Sequence, residues 1–233
     1  MKASPTRVPE CVGIIMDGNR RFARERGLST SRGHQLGYEK AKELVAWCRD
    51  AGIKYVILYA FSTENWRRSA EEVSYLTTII KTLLLSEARE LRNANENEAI
   101  RFAGDIDRFG ADIVCGIRDL EATNPPEPTM TVIIALSYGG RSEILRAVQT
   151  IVSEGTKVPI TEKEFSTHLW TGTTPDPDLI IRTGGEKRLS NFLPWQGVYS
   201  ELFFLDTYWP AFTRQEFLGV LKTYSERDRR IGE

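Results

Sequence analysis

The sequence predicts an α/β fold: one domain with a six-stranded, mostly parallel sheet flanked by helices. Three observations carry this. Short apolar runs recur along the chain without polar alternation, as strands covered on both faces require. Segments of helical periodicity separate those runs, the pattern of parallel crossover units. The 233 residues contain no internal repeat and no linker long enough to separate a pair of domains, so a single domain is expected over 1–233.

The first strand is expected at 12–16 (VGIIM), ending at an Asp-Gly turn. The second covers 53–61 (IKYVILYAF), rich in β-branched and aromatic residues. A weaker third lies at 100–103, followed by 130–136 (MTVIIAL), 179–182 and 202–205 (LFFL). The first helix is expected over 37–50, with Ala41, Leu44, Val45 and Cys48 on one face and Gly52 at its stop. Ser69 and Glu72 form a capping-box signature that opens a long helix to about Asn93. Its apolar stripe is Val73, Leu76, Ile80, Leu83, Leu84 and Leu91. Helices follow at 107–120 and 141–152, and Thr161/Glu164 and Thr213/Glu216 open the last two.

Composition narrows the function classes. Apolar residues make up 41% and charged residues 27%, which excludes a disordered or disulfide-dense chain. Lys+Arg (31) and Asp+Glu (32) balance, so no global basic field exists for nucleic acid or an anionic membrane. An anion site must be local. Cys11, Cys48 and Cys115 are widely spaced without a C-x-x-C pair, which points to reduced thiols and a cytoplasmic protein. Two histidines, His34 and His168, are too few for a zinc site. No apolar run approaches the roughly 18 residues of a spanning helix, and MKASPTRVPE carries no signal-peptide core.

Ligands of open parallel sheets bind beyond the carboxyl ends of the strands. Those ends carry DGNRR (17–21), STENWRR (62–68), SYGGR (137–141) and RTGGEKRLSN (182–191). Arginines supply bidentate forks, and glycines let backbone N–H groups approach phosphate oxygens. Asp17 beside two arginines suits a divalent metal lying between carboxylate and phosphate. Mg²⁺ takes one or two carboxylates plus phosphate oxygens, so Asp17, with Glu201, fits that demand. Each residue alone has a blander reading: Asp17 as a turn, His34 as a cap or core residue, Trp66 as packing, the glycines as a tight turn. The polyanion site rests on their convergence at one sheet edge.

The segments IIMDGNRRFA (14–23), RGH (32–34), LYAFSTENWRR (58–68), EEVSYL (71–76), SYGGR (137–141), DLIIRTGGEKRLSNFLPWQ (178–196) and YSELFF (199–204) resemble the cis-prenyltransferases, the undecaprenyl diphosphate synthase or isoprenyl transferase family. The resemblance implies condensation of isopentenyl diphosphate onto an allylic diphosphate primer such as farnesyl or geranylgeranyl diphosphate. The step repeats to give a Z-polyprenyl diphosphate of medium to long chain. It also implies residue roles. Asp17 would hold Mg²⁺ and assist departure of the diphosphate, with Glu201 sharing the metal. Gly18, Asn19, Arg20 and Arg21 would cradle the primer diphosphate, with Phe22 and His34 beside it. Asn65, with Ser62, Thr63 and Glu64 near it, would take part in removing the proton. Trp66 and Arg68 would hold substrate, and Arg182, Arg188, Leu189 and Ser190 would bind isopentenyl diphosphate.

Thr30 and Lys187 depart from the bacterial pattern, and Phe22 stands where Trp is common. The growing chain implies an apolar tunnel beside the sheet, walled by Leu58, Ala60, Leu76, Ile80, Leu83, Leu84 and the fourth strand. A homodimer is expected, with membrane contact at most peripheral, through the lipid product, and no nucleic-acid partner. Alternatives are a short-chain synthase, a non-catalytic subunit of a heteromeric enzyme, and a nucleotide-binding or phosphatase-like α/β enzyme. The subunit reading fits poorly with Asp17, Asn65, Arg182 and Arg188 all present. The nucleotide reading lacks both glycine-rich phosphate-loop signatures.

Overall fold

A computed structural model of the chain describes residues 7–82, 97–155 and 159–227. Six strands form one sheet: β1 (Cys11–Ile15), β2 (Tyr55–Ser62), β3 (Glu98–Ala103), β4 (Met130–Tyr138), β5 (Leu179–Arg182) and β6 (Glu201–Phe204). Their order is β3-β4-β2-β1-β5-β6, and every pairing is parallel rather than mostly so. The helices are α1 (Asn19–Glu25), α2 (Thr30–Asp50), α3 (Ala70–Thr82), α4 (Ala111–Glu121), α5 (Gly140–Ser153), α6 (Glu162–Thr167) and α7 (Arg214–Glu226). A 3-10 turn spans Thr63–Arg67.

Several helical regions differ from the sequence reading: α1 stands where no helix is expected, and the helix expected over 107–120 is a 3-10 turn at Ile106–Phe109 followed by α4. α2 begins at Thr30, seven residues early, capped by the Ser29 hydroxyl accepting from the Arg32 N–H at 3.2 Å. Gly33 and Gly37 look like breakers in sequence, but here they make room. A Cβ at Gly37 would lie 2.1 Å from Asn19 Oδ1, so their bareness lets α1 lie against α2. The capping pair also shifts by one. Ser69 Oγ accepts from the Glu72 N–H at 3.3 Å, yet it is Glu71 whose carboxylate bonds Ser69. The Glu72 carboxylate is thereby released to other partners. Leu83, Leu84 and Leu91 lie outside the described residues.

Side-chain alternation along the strands builds two apolar layers. Val12, Ile14, Val56, Leu58, Val132, Ile134 and Ile181 face the helices, meeting Leu44 of α2, Ile80 of α3, Ile113 of α4 and Phe217 of α7. Ile15, Ile57, Ile133, Ala135 and Ile180 face the other way, onto Phe192 and Leu193. Two bulges interrupt the β2–β4 pairing. Tyr59 pairs with Ala135 but Phe61 with Leu136, leaving Ala60 as an extra residue in β2. Ser62 then pairs with Tyr138, so Ser137 is extra in β4, at φ 47°. The first bulge returns Phe61 to the helix-facing layer beside Leu58.

Behind the second layer lies a buried polar knot. Glu143 of α5, 1% exposed, accepts from the Tyr138 hydroxyl, the Gln196 amide at 3.0 Å and the Thr171 N–H at 3.3 Å. Burial pushes the Glu143 carboxyl above its ordinary range. A raised carboxyl contributes stability that is present at low pH and lost as pH rises through its folded pKa. Glu143→Gln should therefore flatten that loss: urea melts of the variant are expected to fall less than wild type between pH 4 and pH 8. Parallel curves would show that Glu143 titrates alike in both states.

Candidate active site

β1 and β5 are neighbours, with Ile15 opposite Arg182. The chain leaves β1 toward β2 on one side and leaves β5 toward β6 on the other. Loops diverge at such a switch point, and the crevice between them is the expected ligand site of an open parallel sheet. Asp17 stands on one lip and Arg182 on the other. Arg182 Nη2 donates to Asp17 Oδ2 at 2.8 Å, and Nη1 donates to Ser190 Oγ at 2.8 Å and to the Arg188 carbonyl. Arg182 is only 4% exposed. Arg21 Nη2 approaches Asp17 Oδ1 at 3.2 Å, so both carboxylate oxygens face guanidinium groups.

The backbone of Asp17 is held as firmly as its side chain. Its carbonyl accepts from Thr183 Oγ1 at 2.8 Å and from the Trp209 N–H at 2.9 Å. Gly184 follows at φ 88°, and a Cβ there would sit 3.1 Å from the Asp17 carbonyl carbon and 2.7 Å from Arg21 Nη2. Only glycine meets both demands, so the RTGG run does more than turn the chain. Gly18, at φ 111°, is pressed against Tyr208 in the same way.

Two polar pockets and one apolar pocket meet here. The first polar pocket is lined by Arg20, Arg21, Arg24, Thr30, His34 and Arg68, with Asp17 and Gly18 at its floor. Burial, assisted by the Arg68 and Arg20 charges, lowers the His34 pKa despite its contact with Glu72. The second polar pocket gathers Ser62, Glu64, Asn65, Arg182, Ser190 and Asn191. Asn65 Oδ1 accepts from the Ser62 N–H at 3.0 Å, which fixes its amide plane. Asn191 donates to Glu64 at 3.1 Å and accepts from the Arg141 N–H at 2.9 Å, joining two loops. Burial opposes ionisation of Glu64, but its backbone N–H and the Asn191 amide outweigh it and hold the carboxyl low.

The apolar pocket, about 140 Å³, is walled by Leu58, Ala60, Phe61, Leu76, Ile80 and Leu136. Met16, Asn19 and His34 line all three pockets. An arginine-lined compartment therefore opens directly onto an apolar one.

Several expected site residues do not line these pockets. Glu201 opens β6 opposite Leu179, three residues from Arg182 and its partner Phe204, so it sits roughly 10 Å back along the strands, toward their amino ends. There it pairs with Arg227, and one chain does not bring it to Asp17. Trp66 donates to Ser137 Oγ at 2.9 Å and packs on Phe61 and Phe109, off the walls of these pockets. Phe22 is buried under Arg26, and Thr63 donates to Glu64. Arg188 pairs with Glu186 within its own loop, and Leu189 packs on the second apolar layer. Conversely, Glu72, Thr183, Asn191 and Trp209 organise the site without having been expected there. Among the described residues no cluster of three His, Cys, Asp or Glu could hold a metal, and no helix is long and apolar enough to cross a membrane.

A family model described as that of an undecaprenyl diphosphate synthase matches residues 15–232. An isoprenyl transferase of Thermotoga maritima is 44% identical over 229 residues, 97% of each chain. A tritrans,polycis-undecaprenyl-diphosphate synthase of Thermoplasma acidophilum, geranylgeranyl-diphosphate specific, is 41% identical over 96% of this chain and 89% of its own. Among solved structures, lavandulyl diphosphate synthase from Lavandula x intermedia, in complex with dimethylallyl diphosphate, superposes with a TM-score of 0.91 at 34% identity, covering 97% of this chain and 99% of that one.

The squeeze at Gly184 gives a test that needs no substrate. Gly184→Ala should cost about 1–3 kcal/mol for the left-handed φ and the crowding of Asp17, read as a lower urea midpoint. A midpoint equal to wild type would mean that this loop does not brace Asp17.

Proposed function

Because the chain belongs to the undecaprenyl diphosphate synthase family of isoprenyl transferases, we propose that it condenses isopentenyl diphosphate repeatedly onto an allylic diphosphate to make a Z-polyprenyl diphosphate of medium to long chain. One observation carries the reading: two arginine-bearing polar pockets share three wall residues with an apolar pocket. Two diphosphate heads and one oily tail need that arrangement.

The first polar pocket takes the allylic diphosphate. Arg20, Arg21 and the Gly18–Asn19 turn receive it, and their donors are oriented before the leaving group gains charge. The second pocket takes isopentenyl diphosphate. Arg182 and Ser190 are already joined there, and Arg188 exchanges Glu186 for a phosphate oxygen. Asn65 is not basic, since it carries an amide. With Oδ1 committed to Ser62, its NH₂ orients the diphosphate oxygen that receives the proton. Holding both substrates in line removes much of the entropic barrier.

Asp17 offers a single half-exposed carboxylate, already facing two arginines. That donor set fits Mg²⁺ arriving with a diphosphate, since this ion takes one or two carboxylates alongside phosphate oxygens and water. When bound, Mg²⁺ would neutralise charge on the departing diphosphate, and Asp17 would be its protein ligand. The exposed Val198, Tyr199 and Leu202 at the β6 edge fit a homodimer contact. Three unpaired cysteines fit a cytoplasmic address, with membrane contact only through the product.

Incubation with labelled isopentenyl diphosphate, Mg²⁺ and farnesyl or geranylgeranyl diphosphate tests the reading, and product masses give chain length and primer. A protein inactive alone but active with a second chain would be a subunit instead. Asp17→Ala is expected to fold and lose nearly all turnover while keeping primer affinity; activity within about twofold of wild type would remove Asp17 from the chemistry. Arg182→Ala and Arg188→Ala should each raise the KM for isopentenyl diphosphate about 10- to 100-fold, with Lys a partial rescue. A rise in the primer KM instead would reverse the two sites.

Ala60 lies at the junction of apolar and polar walls. Ala60→Leu adds three heavy atoms there and should stop elongation early, with the first condensation little changed. Unchanged product masses in a folded variant would put the growing chain elsewhere.

A further inference from the structure

We infer that Glu72 is a positioning residue that gathers Arg20, His34 and Arg68 from behind and aims them at a single diphosphate. The inference rests on the diphosphate reading of the first polar pocket. Three donors reach this carboxylate from three separate elements. Arg68, at the end of the 3-10 turn, donates Nη1–H to Oε1 at 2.7 Å. His34 of α2 places Nε2 3.4 Å from the same oxygen. Arg20 of α1 brings Nη1 within 3.6 Å of Oε2. The Glu72 side chain is 12% exposed against 60% for Arg20, and it lines none of the three pockets. Arg20, His34 and Arg68 all line the first polar pocket, and His34 and Arg68 also border the second.

The arrangement solves an electrostatic problem. Two guanidinium groups and an imidazole on one wall repel one another and turn toward water unless an anion holds them. Glu72 supplies that anion on the side away from the pocket, leaving the other N–H groups of each arginine for a ligand. Its backbone is anchored by Ser69, and Tyr75 one turn further on ties α3 to the Ser31 carbonyl of α2 at 3.1 Å. Arg182 and Ser190, in the other pocket, make no contact with Glu72. The effect of Glu72 should therefore fall more heavily on the allylic substrate, whose pocket alone holds Arg20, than on isopentenyl diphosphate.

Calorimetry with inorganic diphosphate, steady-state kinetics for each substrate and NMR titration of His34 test this together. With only two histidines in the chain, His168→Gln assigns the signals. Glu72→Ala should weaken diphosphate binding and raise the allylic KM about 10-fold, with a smaller rise in the isopentenyl KM. Glu72→Gln, nearly isosteric, should give a smaller rise in the same direction, and it carries the test if the alanine variant does not fold. In both, the His34 titration should move to lower pH, since an anionic acceptor is lost while Arg20 and Arg68 remain beside the ring. Wild-type affinity for diphosphate in both variants, or equal rises in both KM values, would overturn the inference. Failure of the wild type itself to bind diphosphate would overturn the reading of the pocket beneath it, while the His34 titration would still judge the Glu72 contact.

Discussion

The ion pair between Asp17 and Arg182 is the point on which the site is built. It exists because β1 and β5 are adjacent, parallel and in a register that sets Ile15 beside Arg182. Their ends therefore emerge together, at the place where the connections run apart. Arg182 is nearly buried, so its charge needs oxygens on several sides, and Asp17, Ser190 and the Arg188 carbonyl provide them. Removing one partner of such a group costs far more than the pair contributes, so the loops that carry these atoms are held in place by the need to satisfy it. The 182–191 loop, the Asp-Gly turn and the 205–209 segment are fixed to one another through this charge and the Asp17 carbonyl.

Much of this was legible in the chain. Buried parallel strands announce themselves as unbroken apolar runs, and the residues following them must share an edge. What sequence could not give is direction within three dimensions. Glu201 is the first residue of β6, and in a parallel sheet that alone sends it to the far edge. Trp66 lies in a polar loop, yet the turn carries its ring back into the core, where Ser137 takes its N–H. Glu71 and Glu72 differ by one position and about 100° around a helix, so Glu71 bonds Ser69 while Glu72 turns to Arg20, His34 and Arg68.

Gly33 and Gly37 illustrate the same limit from the other side. Read locally, a helix starts only at Gly37; in the fold both glycines lie inside α2, where a second helix touches it. Asn19 is pinned between them, its carbonyl against one and its side chain against the other. That contact holds Asn19, and with it the start of α1, at the junction of the oily and cationic compartments.

The paired bulges at Ala60 and Ser137 are equal and opposite slips of register. Between them β2 and β4 run one residue out of step, and beyond them they are in step again. The loop carrying Asn65 starts from the corrected register, while Phe61 and Ala60 owe their facing to the uncorrected one. The two irregularities thus behave as a matched key and ward in a lock. A graft of the Ser62–Arg68 loop into another sheet would arrive misaligned unless both strands, each with its own irregularity, travelled with it.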